Sequence, residues 1–368
     1  MAAARARRVV LAAGGTGGHF YPGLALAQTL RERGWQPLFL IRSADEAAAA
    51  LEREGIAAVE LPLRGLPRRL STALPRFFSG LWRATRLARR VLTDFDADVV
   101  VGMGGYLTFP AVAAAARLGL PRALHESNAV LGLANRVSRR LGAALFWGLP
   151  PAHGKGRVTG TPIRQALWDR APAASARREL GLSPNLATLL VFGGSQGARG
   201  LNAGAPAVLG RLARRSPRSF QVLHLAGRSE SAEVERRYRE LPVKTKVLPF
   251  LERMELAYAA GDLALCRSGA STLAELSAQR LPAILVPFPS AAGNHQEANA
   301  RVLERCGACR VVLERDLDEG LEPVLSEILT NGTTERLAAM SEGYAGLGLP
   351  PPRRCAQELA DAVEALAR

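Results

Sequence analysis

At 368 residues, with 48% apolar and 22% charged side chains, the chain is too long for one ordinary core and too apolar to be disordered, so two domains are expected. A net charge of +15 calls for an anionic partner; no aromatic-rich basic stripe accompanies it, which sets nucleic acid aside in favour of a membrane surface or a phosphorylated ligand. The cysteines Cys266, Cys306, Cys309 and Cys355 include one C-x-x-C but no second pair or histidine at zinc-ligand spacing, which predicts buried thiols in a reducing compartment; no D-x-D-like or histidine cluster suggests a required metal, and no cofactor is expected.

In chain order, Arg5, Arg7 and Arg8 precede an apolar run of only 9–13, too short for a signal segment. β-Branched and leucine runs at 9–11, 38–41, 57–61 and 99–101 predict strands. Helical spacing at 24–33 stops at Gly34, a C-cap glycine. Residues 99–116 form the longest uncharged stretch, but Gly102, Gly104, Gly105 and Pro110 break it into strand, turn and helix, so no membrane span is predicted. A second strand series follows at 188–192, 221–225, 246–249, 263–266 and 283–287. Strand–glycine–helix starts at Gly14 and Gly193 imply an α/β fold with two similar parallel sheets. The proline- and charge-rich stretch 162–184 reads as the linker, and 353–368 as a helical tail. The expected domains are 1–164, 165–341 and a tail of 342–368.

Glycine-rich turns at 14–19, 102–106 and 193–200 stand at strand ends, where glycine lets phosphate approach backbone N–H groups at a helix N-terminus. Three of them favour a phosphate-bearing ligand. A dinucleotide competes, but Phe20 occupies the third small position of G-x-G-x-x-G, and Arg42-Ser43 stand where the ribose-binding acid belongs; Arg42 would suit a 2′-phosphate. Leu74, Phe77, Phe78, Leu81 and Trp82 fall on one helix face, surrounded by Arg76, Arg83, Arg86, Arg89 and Arg90. That face either packs on the core or docks on a membrane. Ser195, in a tight turn where a helix should begin, can cap that helix and hold a diphosphate together.

The motifs GGTGGH (14–19), GMGGY (102–106), HESN (125–128), TGTPIR (159–164), GGSQGA (193–198), CRSGASTLAE (266–275) and NHQEANA (294–300) occur in that order. With them the chain resembles the MurG family of bacterial peptidoglycan glycosyltransferases over nearly its whole length. The resemblance implies the GT-B architecture, two Rossmann-like domains facing a cleft, with the final helix returning to the first domain. It implies transfer of N-acetylglucosamine from UDP-N-acetylglucosamine to the C4 hydroxyl of an undecaprenyl-linked N-acetylmuramoyl-pentapeptide, lipid I. It also implies a peripheral protein on the cytoplasmic face of the inner membrane, with an anionic lipid surface as partner.

By the same resemblance Arg164 and Ser195 hold the diphosphate, the Leu251 backbone recognises uracil, and Ala270, Ser271, Thr272, Leu273, Ala274 and Glu275 line the nucleoside. Glu275 would accept the ribose hydroxyls; without the resemblance a surface glutamate is the commoner outcome. Gln296 would bind the donor sugar with Asn299 in support, although the loop at 290–295 departs from the family's charged pattern. Thr16, Gly17, Gly18 and Asn128 would serve both donor and acceptor, and His19, Gly104, Gly105 and Tyr106 the acceptor. A helix beginning near Tyr21 would keep the His19 imidazole neutral and able to take the hydroxyl proton, with Glu126 the second candidate for the base. A glycolipid-forming transferase and a non-catalytic nucleotide-sugar sensor are the alternatives.

Overall fold

Short strands buried on both faces have no reason to alternate polar with apolar, and the runs of valine, leucine and alanine here form parallel sheets of that kind. The computed structural model describes residues 5–14, 17–45, 47–63, 73–194, 197–215, 220–329 and 333–368. The chain divides into unit 1, Met1–Arg164 with Leu349–Arg368, and unit 2, Gln165–Gly348.

Unit 1 runs β1 (Arg8–Ala12), α1 (Gly17–Glu32), β2 (Gln36–Arg42), α2 (Ala47–Arg53), β3 (Ala57–Leu61), α3 (Ala73–Asp94), β4 (Val99–Gly102), α4 (Thr108–Arg117), β5 (Arg122–Glu126), α5 (Leu133–Arg139), β6 (Ala144–Trp147) and β7 (Arg157–Val158). Among its described residues seven strands are parallel in the order β3-β2-β1-β4-β5-β6-β7. Alternate residues of β1 feed two cores: Val9 and Leu11 join Leu26 and Leu30 of α1, while Val10 and Ala12 join Ala84, Ala88 and Leu92 of α3 and Ala111 of α4.

Unit 2 runs α6 (Ala173–Glu179), β8 (Ala187–Phe192), α7 (Arg199–Arg215), β9 (Phe220–Leu225), α8 (Ser231–Tyr238), β10 (Lys244–Leu248), α9 (Met254–Ala260), β11 (Leu263–Cys266), α10 (Ala270–Gln279), β12 (Ala283–Leu285), α11 (His295–Arg305), β13 (Cys309–Val311), α12 (Leu317–Leu329) and α13 (Thr333–Gly343). Among its described residues six strands are parallel in the order β10-β9-β8-β11-β12-β13. Residues 342–348, placed with the tail on sequence grounds, cluster with unit 2, where the buried Tyr344 hydroxyl donates to Leu281 O at 2.6 Å.

The last helix, α14 (Pro352–Leu366), starts with proline at its first position, where no N–H is needed. It belongs to unit 1. Leu359, Ala360 and Val363 are fully buried in the same core as α1, each large side chain contributing about 1.5–3 kcal/mol by burial. Trp35 Nε1 donates to Glu364 Oε1 at 3.0 Å, and Arg33 pairs with Asp361 at 2.7 Å.

Three sequence expectations change. The first helix begins at Gly17 rather than near Tyr21, because the first helical residues need no N–H partner and glycine there costs little; His19 is therefore inside the first turn. Strands β5, β6, β7 and β13 were not anticipated: β5 carries Arg122, His125 and Glu126, and the other three are two to four residues long. The stripe from Leu74 to Trp82 does not face one environment. Leu81 packs on the core alongside Ala84 and Ala88, whereas Phe78 and Trp82 are 61% and 62% exposed. Phe77 is half-buried against Phe78, and the Leu74 side chain lies outside the described residues.

Candidate active site

In each sheet the strand order reverses beside the first strand, at β1/β4 in unit 1 and at β8/β11 in unit 2. Ligands bind at the carboxyl ends of strands at such a point. The glycine turns at 14–19, 102–106 and 193–198 follow β1, β4 and β8, three of these four strands.

In unit 1 the first two turns meet through His19. A Cβ placed on Gly104 would stand 2.7 Å from His19 Cδ2 and 2.9 Å from Nε2, and Gly104 has a φ of +101°. Only glycine lets the imidazole lie on this backbone. Gly105 flanks the same ring at ordinary contact distance, and the turn is closed by Thr108, whose Oγ1 donates to Gly104 O at 3.0 Å. Gly17 and Gly18 open α1 beside His19, and Tyr106 is half-buried against the core. Thr16 lies outside the described residues.

Glu126 ends β5 and is buried. Its Oε1 accepts from Asn128 N at 3.0 Å and Asn128 Nδ2 at 2.9 Å, and its Oε2 accepts from Gly132 N at 2.9 Å and Asn135 Nδ2 at 3.0 Å. Four donors fill the carboxylate's lone pairs, so the side chain holds the loop that presents Asn128. Its neighbour His125 is fully buried, and burial pushes its pKa down. The Gly160 carbonyl, 3.1 Å from Nε2, can only accept, so Nε2 carries the hydrogen and Nδ1 faces the Ser127 hydroxyl at 3.3 Å. His125 thereby pins the segment leading to Arg164, whose guanidinium lies 5.2 Å from the Tyr21 ring centre.

In unit 2, Gly193 and Gly197 shape the turn after β8. A Cβ on Gly193 would stand 2.2 Å from that of Ala198, and one on Gly197 (φ +73°) 2.6 Å from Ala226 O. Ser195 lies outside the described residues. The turn after β11 leads into α10, where Leu273 and Ala274 are buried and Ala270, Ser271, Thr272 and Glu275 are half-buried. Glu275 Oε2 accepts from the Tyr258 hydroxyl at 2.6 Å. The buried Asn299 donates to Ser268 O at 3.1 Å, Ser268 Oγ donates to Gln296 O at 2.8 Å, and Gln296 Oε1 accepts from Phe288 N at 2.9 Å. Gln296 and Asn299 therefore tie the start of α11 to the turn after β11. Leu251 follows β10, next to Phe250, which is 44% exposed beneath the Arg228 guanidinium.

Sequence reasoning gave Arg267 no role. It is buried, pairs with Glu314, donates to Val286 O at 3.2 Å and Pro287 O at 3.3 Å, and lies over Phe288. It braces the segment leading to Gln296, and no local pattern marks a buried arginine. Cys266, Cys309 and Cys355 are buried free thiols, and burial raises all three pKa values, that of Cys355 to about 12. Among the described residues no cluster of three His, Cys, Asp or Glu could hold a metal ion, and no helix is long and apolar enough to cross a membrane.

Comparison with known proteins adds to this geometry. The model of the glycosyltransferase family 28 N-terminal domain matches residues 9–146, and that of the family 28 C-terminal domain residues 188–348. A UDP-N-acetylglucosamine–N-acetylmuramyl-(pentapeptide) pyrophosphoryl-undecaprenol N-acetylglucosamine transferase of Halorhodospira halophila is 41% identical over 94% of this chain and 95% of its own. The protein of that name from Elusimicrobium minutum is 34% identical over 98% of this chain and its own full length. Among solved structures, the crystal structure of Acinetobacter baumannii MurG has a TM-score of 0.80 at 26% identity, covering 98% of this chain and 99% of that one. The kitacinnamycin glycosyltransferase, at 17% identity and a TM-score of 0.70 over 99% of this chain and 100% of its own, shares the fold.

Proposed function

The chain belongs to glycosyltransferase family 28, and from that premise we propose that it transfers N-acetylglucosamine from UDP-N-acetylglucosamine to the C4 hydroxyl of N-acetylmuramoyl in lipid I, with inversion at the anomeric carbon. The contact of His19 with Gly104 carries the mechanistic part of this proposal. It puts an imidazole at the strand-order reversal of unit 1, on a surface kept open by glycine.

Unit 1 takes the acceptor: Thr16, Gly17, Gly18, Gly104, Gly105 and Tyr106 leave room for the lipid pyrophosphate, and Asn128, held by Glu126, contacts the sugar. Unit 2 takes the donor. The Leu251 backbone reads uracil, residues 270–275 line the nucleoside, and Glu275 accepts the ribose hydroxyls. Gln296 and Asn299 serve the sugar. In the single displacement the acceptor O4 bonds to C1 as the bond from C1 to the diphosphate oxygen breaks. The bonding pair leaves with UDP, and the O4 proton passes to His19. Charge growing on the diphosphate is met by Ser195, the N-terminus of α7 and Arg164. Glu126 holds its loop and leaves the base role to His19, because its lone pairs are already occupied.

Phe78 and Trp82 of α3, with exposed Arg83, Arg86, Arg89 and Arg90 around them, dock unit 1 on anionic lipid. The docked face is the cytoplasmic one, where nucleotide sugars are made. Turnover of a panel of UDP-sugars with a polyprenyl-pyrophosphoryl-N-acetylmuramoyl acceptor tests the assignment. Product from UDP-N-acetylglucosamine alone supports it. Product only when diacylglycerol replaces that acceptor would make the protein a glycolipid synthase, and donor binding without turnover a sensor.

A further inference from the structure

Unit 2 contains a buried polar chain that the roles above leave unused. His224, the fifth residue of β9, is fully buried, with Nδ1 3.0 Å from the Tyr238 hydroxyl at the end of α8 and Nε2 3.0 Å from Asn202 Oδ1 on α7. Asn202 Nδ2 in turn donates to Ala226 O at 2.7 Å and to Glu230 Oε2 at 2.5 Å, and the other Glu230 oxygen is 3.2 Å from Arg199, the first residue of α7.

Every hydrogen in this chain has one possible direction. The Ala226 carbonyl has no hydrogen to give, so the Asn202 amide must turn its nitrogen toward it and its oxygen toward His224. His224 Nε2 must then carry the hydrogen, which leaves Nδ1 as an acceptor and Tyr238 as its donor. Burial holds His224 neutral, with its pKa lowered to about 3, which this direction requires.

The chain ends on the backbone that seats the turn after β8. Ala226 O receives Asn202 and also touches Gly197, where a Cβ would stand 2.6 Å from that oxygen and 3.4 Å from Gly227 Cα. Asn202 itself is in the first turn of α7, and its N–H donates to Ala198 O at 2.8 Å. One carbonyl thus accepts from the helix start and lies against the glycine turn that precedes it.

We propose that His224 and Tyr238 are positioning residues for the donor diphosphate: they lock the Asn202 amide, which ties the first turn of α7 to Ala226 O, the carbonyl that Gly197 lies against. The proposal rests on the reading that the diphosphate lies at that turn. Its signature is selectivity, since uridine without phosphates does not use the turn.

The test compares affinities for UDP and for uridine in the full chain, together with the KM values of both substrates and the unfolding transition. His224→Leu should weaken UDP binding about tenfold or more and raise the donor KM in parallel, with uridine affinity and acceptor KM within about twofold of wild type. His224→Gln, which puts an amide N–H near the place of Nε2, should recover most of the loss. Tyr238→Phe keeps the ring packing and should give a smaller loss of the same kind if the leucine variant does not fold. Normal UDP affinity in the folded variants, with only a lower unfolding temperature, would reduce the chain to a structural role. Gly197→Ala is the control for the site. If it weakens UDP against uridine while His224→Leu does not, only the positioning role fails. If neither does, the diphosphate lies elsewhere and both readings fall.

Discussion

Units 1 and 2 repeat one strand order, with the first four strands arranged alike, yet their surfaces and turns are built differently. Unit 1 holds 26 lysines and arginines against 13 acidic residues, a net +13; unit 2 holds 22 against 20, a net +2. Nearly all of the chain's excess charge thus sits on the unit that also exposes Phe78 and Trp82. The turns differ in the same way. In unit 1 a titratable ring, His19, is laid on bare glycine backbone at the reversal point, whereas in unit 2 a buried hydrogen-bonded chain of Asn202, His224 and Tyr238 ends on the carbonyl that the turn lies against. A common fold supplies only the place where ligands bind, and what the place does follows from the residues set into it. In the proposed function, unit 1 supplies the acceptor and lipid surface and unit 2 the nucleotide cradle.

The largest expected effect breaks this division at its reactive end. His19→Ala should lower turnover by about a hundredfold or more at saturating acceptor while UDP affinity stays near normal, as steady-state kinetics and calorimetry would show. Loss of UDP binding instead would move His19 to the donor side. Next comes the cradle. Glu275→Ala removes a charge-assisted acceptor worth about 1.5–3 kcal/mol, so UDP should bind about ten- to a hundredfold more weakly. An unchanged calorimetric titration of the folded variant would take Glu275 out of the site.

A third variant tests the lipid face. Replacing Phe78 and Trp82 together by serine should cut binding to anionic liposomes about tenfold and leave the unfolding temperature nearly unchanged, since both side chains are already exposed. A large drop in stability would return them to the core. Residual binding should weaken further with salt, as screening of arginines predicts.

A further effect is on stability against pH. His224 has a folded pKa of about 3, below the ordinary 6.5, so between these values the unfolded chain takes up a proton that the folded chain refuses. Stability should therefore fall as pH drops from about 6.5 toward 3, by at most about 1.4 kcal/mol per pH unit from this residue, and be indifferent to it above 7. His125, whose pKa is lowered by the same cause, adds a slope of the same sign. Denaturant titrations across this range should show a shallower dependence for His224→Gln than for wild type.

Much of the architecture could be read locally. Strands at 9–11, 99–101, 188–192 and 263–266 are continuous apolar runs, and the glycine pairs after Gly14 and Gly193 end their strands where a helix must turn back; both signals act over a few residues. β5 escaped because its His125 and Glu126 look like loop residues and are accommodated only by the neighbours that bond them. The two-edged stripe from Leu74 to Trp82 escaped for a related reason: periodicity defines a face, but which part of it meets the core depends on where α4 and β3 stand.

The sequence by itself determined the fold class, the two glycine-marked sheets and the ordered motifs of the family, because backbone conformation and apolar period are written into neighbouring residues. Only the tertiary structure decided that Glu126 is consumed by its own loop, that Arg267 is a buried brace, that His19 rests on Gly104, and that Tyr238, His224 and Asn202 form one directed chain. Those facts join residues from 2 to 85 positions apart, and the strength of a hydrogen bond or a contact depends on a meeting that no local pattern records.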